Sequence, residues 1–237
     1  MPYHYPIQGI EEVPLTYAST APRLNVGELS ESGYIRAICF FTMVMAGIVG
    51  AGSVLTYAVA FSWLLLGGCF AGALIGILMF TMSDNPLVSF IGVSILSLAL
   101  GLMMGPTIAH YAAPVVMKAV IITALVMIVM SLLGIMVPAA FRGIGPYLMA
   151  GLTLLIVAQF AQIIFAGFGF HEATHLPLVT WAGIALFLGY TAYDWTRALE
   201  LQYTWDNAID TSGNLILDAV NLFLRILEVT SSSSSDD

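Results

Sequence analysis

What most limits the fold of this chain is a series of uncharged, apolar stretches, each about as long as a bilayer is thick, separated by short polar breaks. A helix needs about 20 mostly apolar residues to cross roughly 30 Å of hydrocarbon. Such stretches occupy residues 35–57, 58–82, 87–111, 114–137, 146–168, 176–198 and 211–229. Between them stand Ser83-Asp84-Asn85-Pro86, Pro114, Pro138 through Pro146, and His171 through Pro177, residue types that punctuate helices. The first boundary is soft, because residues 35–82 run on almost without a polar break. Six spans are well defined. The seventh is shorter and more polar, and a re-entrant helix shielded by the others is the alternative there.

Composition agrees. Of the 237 residues, 59% are hydrophobic and only 8% charged, where a soluble domain carries about a quarter charged. The expected fold is therefore an all-α integral membrane bundle of seven transmembrane helices, with the lipid bilayer as its solvent. It forms one domain over residues 34–230, with a polar N-terminal tail at 1–33 and a disordered acidic C-terminal tail at 231–237. Residues 1–33 lack an apolar stretch after a basic start, so they do not read as a cleavable leader. Six Lys and Arg against a net charge of −8 leave no basic patch for phosphate, which sets nucleic acid aside. If the N-terminus is cytoplasmic, Arg23, Arg36, Arg142 and Arg197 lie at cytoplasmic ends and only Lys118 outside, so the excess of cations favours that orientation. Cys39 and Cys69 lie in apolar runs without a metal-ligand spacing and read as small core residues.

Small residues mark where helices touch. Gly68, Gly72 and Gly76 recur every four residues, as do Ser97, Gly101 and Gly105, a spacing that lets backbones approach closely in lipid.

The most informative stretch is in the last span. Asn214, Asp218, Asn221, Arg225 and Glu228 are spaced four, three, four and three apart, which places them along one face of a helix. An ionised side chain at membrane depth costs several kcal/mol unless it is paired or solvated. The stripe should therefore face the bundle interior, with the last helix central. In the sixth span Asp194 lies about one turn before the end, and Asp218 lies roughly 10 Å into the seventh at about 1.5 Å per residue. Both carboxylates then fall in the same half of the membrane. Two carboxylates in contact cannot both stay ionised cheaply, so the pair shares a proton. Protonated, such a pair holds two helices together. Doubly ionised, it pushes them apart or accepts a cation. Calcium wants several oxygen ligands, which Asp194, Asp218 and the amides of Asn214 and Asn221 supply. The structural alternative is an ion pair of Asp218 with Arg197 or Arg225, or of Arg225 with Glu228.

At these residues the chain resembles the Bax inhibitor-1 family. The resemblance rests on Tyr193-Asp194, on Leu217-Asp218-Ala219-Val220-Asn221-Leu222-Phe223, and on Gly105-Pro106-Thr107-Ile108-Ala109-His110-Tyr111, the last similar to bacterial members. It implies a seven-helix bundle around a central last helix. It also implies a pH-sensitive calcium leak with a paired-aspartate sensor, carried over to Asp194 and Asp218. Asn214, Asn221, Arg225, Arg197 and Glu228 would then line or tune the path, with calcium and protons as partners and no cofactor. No enzymatic activity is expected, and the location implied is a prokaryotic inner membrane. Some members place an arginine near the end of the second span, where this chain reads Met82-Ser83-Asp84-Asn85. Arg197 or Arg225 would have to replace it.

Three other constellations compete. His171-Glu172-Ala173-Thr174-His175 matches H-E-x-x-H, but glycines precede it, Pro177 follows it, and Asp84 and Asp206, its best third ligands, lie at the opposite membrane face. It reads as a polar turn or an incidental surface metal site. A retinal protein needs a lysine in the last span, and the only lysine is Lys118. His110 beside Tyr111, and Trp63, Trp181, Trp195 and Trp205, read as interface anchors.

Overall fold

In a computed structural model of the protein, residues 28–60, 62–168 and 177–233 are described. These residues fold into eight helices: α1 (Glu31–Thr56), α2 (Trp63–Thr81), α3 (Pro86–Ile108), α4 (Ala113–Met136), the single turn α5 (Pro138–Phe141), α6 (Gly145–Gly167), α7 (Pro177–Ala198) and α8 (Trp205–Ser233). The N-terminal tail up to residue 27 and His171–His175 lie outside the described residues. Local chemistry sets the helix starts. Ser30 and Ser62 accept hydrogen bonds from the amides of Gly33 (3.2 Å) and Leu65 (3.1 Å). Asn85 Oδ1 accepts one from Leu87 N at 3.0 Å, with Pro86 opening α3. Each of these caps satisfies an amide that a helix start would otherwise leave open.

Helices α1 to α4 and α6 are long and apolar enough to cross a membrane by length and composition. Their outer faces carry exposed apolar side chains, among them Leu64 and Phe70 on α2 and Ile121, Leu125 and Ile128 on α4, as a lipid-facing surface should. The protein is an all-helical integral membrane bundle. The last helix starts six residues earlier than the sequence pattern suggests. Thr204 Oγ1 accepts from the Asn207 amide at 3.2 Å and caps a first turn that holds Asp206. Counting apolar residues missed that turn because its stability comes from capping and from an acid at the positive end of the helix. At its other end α8 runs to Ser233.

Helix α8 packs against α1, α3, α4 and α7, and each of the three apolar clusters includes residues from it. Ile209, Ile216 and Val220 pack with Met45, Val49, Phe80, Val93 and Leu96. Ala208 and Leu215 pack with Tyr34, Ile38 and Trp195. Leu222, Phe223, Ile226 and Leu227 pack with Ala119, Leu155 and Phe187. Trp195 is thus a core residue and not the interface anchor that its place near a span end suggests. Gly134 on α4 makes room for it, since a Cβ there would lie 2.9 Å from Trp195 Cβ.

The glycine rows are only partly contact surfaces. A Cβ at Gly76 would lie 2.6 Å from Gly92 O, and Cβ atoms at Gly101 and Gly105 would strike the backbones of Val49 and Ser53. Gly72 meets only Ala99, at 3.6 Å, and Gly68 meets nothing within 4 Å. Spacing alone does not reveal which turn of a row faces a neighbour. Cys69 is buried as expected, whereas Cys39 is exposed.

One end of the bundle gathers the start of α1 and the α7–α8 connection, where Leu29 N donates to Tyr203 O at 2.6 Å. Arg142 pairs there with Glu200, and Ser89 near the start of α3 donates to Asp206 Oδ1 at 2.7 Å. Arg36, Arg142 and Arg197 therefore share that end, and Lys118, near the start of α4, stands toward the other.

Candidate functional site

The five polar residues of the α8 stripe all line cavities. A cavity of about 590 Å³ lies between α6, α7 and α8, and a second of about 360 Å³ lies further along α8. Asn214, Asp218 and Asn221 border the first, and Asn221, Arg225 and Glu228 border the second. Alternation of four and three residues keeps these side chains on one face, while the Leu, Ile, Val and Phe between them fill the apolar clusters.

Asp194 and Asp218 line the same cavity, together with Arg197, Tyr190 and Tyr193 from α7 and Pro146 and Met149 from α6. The two carboxylates feel each other's charge. Asp218 is only 4% exposed, and its Oδ2 is buried without a hydrogen-bond partner. Asp194 is half-buried. Thr191, one turn before Asp194, stands beside Asp218 as a hydrogen-bonding side chain, and its Oγ1 also donates to Phe187 O at 2.8 Å. Among the described residues, the ion pair that forms is Arg142–Glu200, on the surface. Neither Arg197 nor Arg225 therefore neutralises Asp218. Arg197 is exposed at the cavity rim. A buried carboxylate oxygen without a hydrogen-bond partner is costly as an anion, so this site has a chemical reason to take up a proton.

The second cavity is lined by Thr107 and Tyr111 near the end of α3, Gln159 and Gln162 of α6, Thr180 of α7, and Arg225 and Glu228 of α8. Thr180 Oγ1 donates to Glu228 Oε1 at 2.8 Å. Arg225 is 9% exposed. Its guanidinium lies over Gly183, where an added Cβ would meet Nε at 3.0 Å. His110 is exposed and lines neither cavity.

Reasoning from the sequence missed a third polar group. Asp206 is 8% exposed and held by Ser89, and one turn later Asp210 keeps a buried Oδ1 without a hydrogen-bond partner. The signal was there, since Asp206, Asp210, Asn214 and Asp218 recur every four residues. Starting the helix near Thr211 cut that row in two. Tyr190, Gln159, Gln162 and Thr180 carry no such pattern and are brought in only by packing.

A family model described as "Inhibitor of apoptosis-promoting Bax1" matches residues 33–235. Similar curated proteins include "Protein LIFEGUARD 2" of Arabidopsis thaliana, 31% identical over 59% of this chain and 58% of the relative. "Protein LIFEGUARD 3" of the same plant is 32% identical over 60% of this chain and 56% of its own length. "Bax inhibitor 1" of Schizosaccharomyces pombe is 27% identical over 58% of this chain and 50% of the yeast protein. The chain spans somewhat over half the length of the plant relatives it matches. The match over residues 33–235 takes in all but the first two residues of α1, all of α2 to α8 and both cavities, and by it the chain belongs to the Bax inhibitor-1 family.

Proposed function

We propose that the protein is a seven-span, pH-sensitive leak channel for calcium, gated by protonation of Asp194 and Asp218. The observation that carries this reading is the shared cavity. Two carboxylates from different helices border one space, and Asp218 there has a buried oxygen without a donor. With the pair protonated, the site loses the charge that attracts a divalent cation. With both groups ionised, mutual repulsion favours separation of α7 from α8, and the carboxylates offer hard oxygen ligands. Asn214 and Asn221 line the path, and Arg197, Arg225 and Glu228 set its potential. In this reading α7 and α8 also cross the membrane, and α8 is the central helix. The contacts of α8 with α1, α3, α4 and α7 support that arrangement. The membrane is a prokaryotic plasma membrane and the N-terminus is cytoplasmic, which the shared end of Arg36, Arg142 and Arg197 supports.

A second reading has one observation in its favour: the matched family is described as an inhibitor. A non-transporting membrane protein that modulates a protease or stress pathway would use the same bundle, with the acids as packing contacts. Purified protein in dye-loaded liposomes separates the two. Calcium entry above that of empty liposomes, abolished in the Asp194→Asn, Asp218→Asn double variant, is expected. Folded protein that carries no calcium at any pH from about 6 to 8 would sink the channel reading.

A further inference from the structure

The two cavities along α8 have one lining residue in common, Asn221. Asn221 lies 16 residues after Trp205 and 12 before Ser233, near the middle of α8. At about 1.5 Å per residue that is ~24 Å from one end and ~18 Å from the other. The first cavity extends from Asn221 toward the bundle end that carries Arg197, and the second toward Glu228 and the end of α3. Leu217 borders the first and Leu224 the second, so the polar amide stands between two apolar side chains on the same face. Its Nδ2 donates to Leu217 O at 2.8 Å. That bond fixes the amide, and its Oδ1 accepts no hydrogen bond from the described residues. An amide oxygen of this kind is a ligand for hard cations and a hydrogen-bonding partner for water.

We infer that the two cavities are halves of one aqueous path along α8, and that the Asn221 side chain is the joint through which water and cations pass between them. This deepens the channel reading but has a readout that does not depend on calcium transport. The joint is separate from the sensor: Asp194 and Asp218 decide at what pH the path opens, and Asn221 decides whether the two halves communicate.

The test has two arms, both on the full chain in liposomes at about pH 8. In the first, Asn221→Cys is made with Cys39→Ala and Cys69→Ala and exposed to a membrane-impermeant, positively charged thiol reagent from outside or trapped inside. Labelling from both sides is expected, while a cysteine at Leu222, which is fully buried, is labelled from neither. In the second, Asn221→Leu is expected to lower calcium entry at least tenfold, with any residual flux keeping the parent's pH dependence. Labelling from both sides in a protein that carries no calcium would uphold the path and remove the calcium reading. Labelling from one side only, or from neither, would overturn the joint even if the parent protein carries calcium. So would parental flux in Asn221→Leu.

Discussion

The two sides of this bundle are built by opposite means. Where α1, α2 and α3 meet, the helices approach too closely for side chains at the contact: a Cβ at Gly52 would lie 3.1 Å from the Gly101 backbone, and one at Gly76 would lie 2.6 Å from Gly92 O. Thr56 Oγ1 adds a hydrogen bond to Leu102 O at 2.9 Å across the same contact. Where α6, α7 and α8 meet, cavities of about 590, 360 and 330 Å³ remain, and α6 packs mainly against α7. In lipid, helices are held by close contact and interhelical hydrogen bonds and not by a hydrophobic force. The first side therefore supplies the rigidity. The second, with two of its cavities bordered by buried acids and amides, is the side that the proposed gating would move.

The contrast is broken most severely by filling a glycine on the tight side. Gly101→Leu drives a side chain into the Val49 backbone. It should cost about 3 kcal/mol, the upper part of the usual range for overpacking, and appear as a large loss of folded protein in detergent unfolding. Gly68→Leu, in the same type of row but with open space around it, should change stability by less than about 0.5 kcal/mol. Equal losses from the two variants would mean that the close approach at Gly101 is not what holds this side together.

On the loose side the largest single effect should be on transport and not on folding. Arg225→Gln removes a buried positive charge from the second cavity while keeping its hydrogen-bonding capacity. Calcium entry should rise about fivefold, equivalent to about 1 kcal/mol of barrier, with little change in unfolding. Lower flux would show that Arg225 supports the path instead of opposing cations. A smaller effect is expected from Thr56→Val, which keeps shape but loses the bond to Leu102 O. About 0.6 kcal/mol of stability should go, the average for such bonds between membrane helices. Smallest of all is Arg142→Ala. Its ion pair with Glu200 is exposed on both sides, so the loss in thermal unfolding should stay under about 0.5 kcal/mol.

Much of this architecture is legible in the order of residues alone. Stretches such as 87–111 and 114–137 match α3 and α4 to within a few residues, because hydrophobic length leaves a membrane helix few other places to begin and end. The stripe from Asn214 to Glu228 is legible because a 3.6-residue period converts spacing directly into a face. Two things are not. The first turn of α8 rests on Thr204 and Asp206, whose contribution comes from capping, so apolar counting passes over it. The division of the stripe between two cavities comes from packing around α8, where Met149 and Leu152 line one cavity and Gln159 the other, residues that show no pattern in the sequence.

The most direct test of the account is calcium entry into liposomes, measured from about pH 6 to pH 8 with the parent protein and with Asp218→Asn side by side. As pH rises, the Asp194–Asp218 pair loses its shared proton, gains negative charge and repels, so parental entry should increase across this range. In Asp218→Asn only Asp194 remains to titrate and no second carboxylate repels it, so the rise of entry with pH should be much reduced. A variant that keeps the parental pH response, in protein shown to be folded, would contradict the account and leave Asp218 a structural residue.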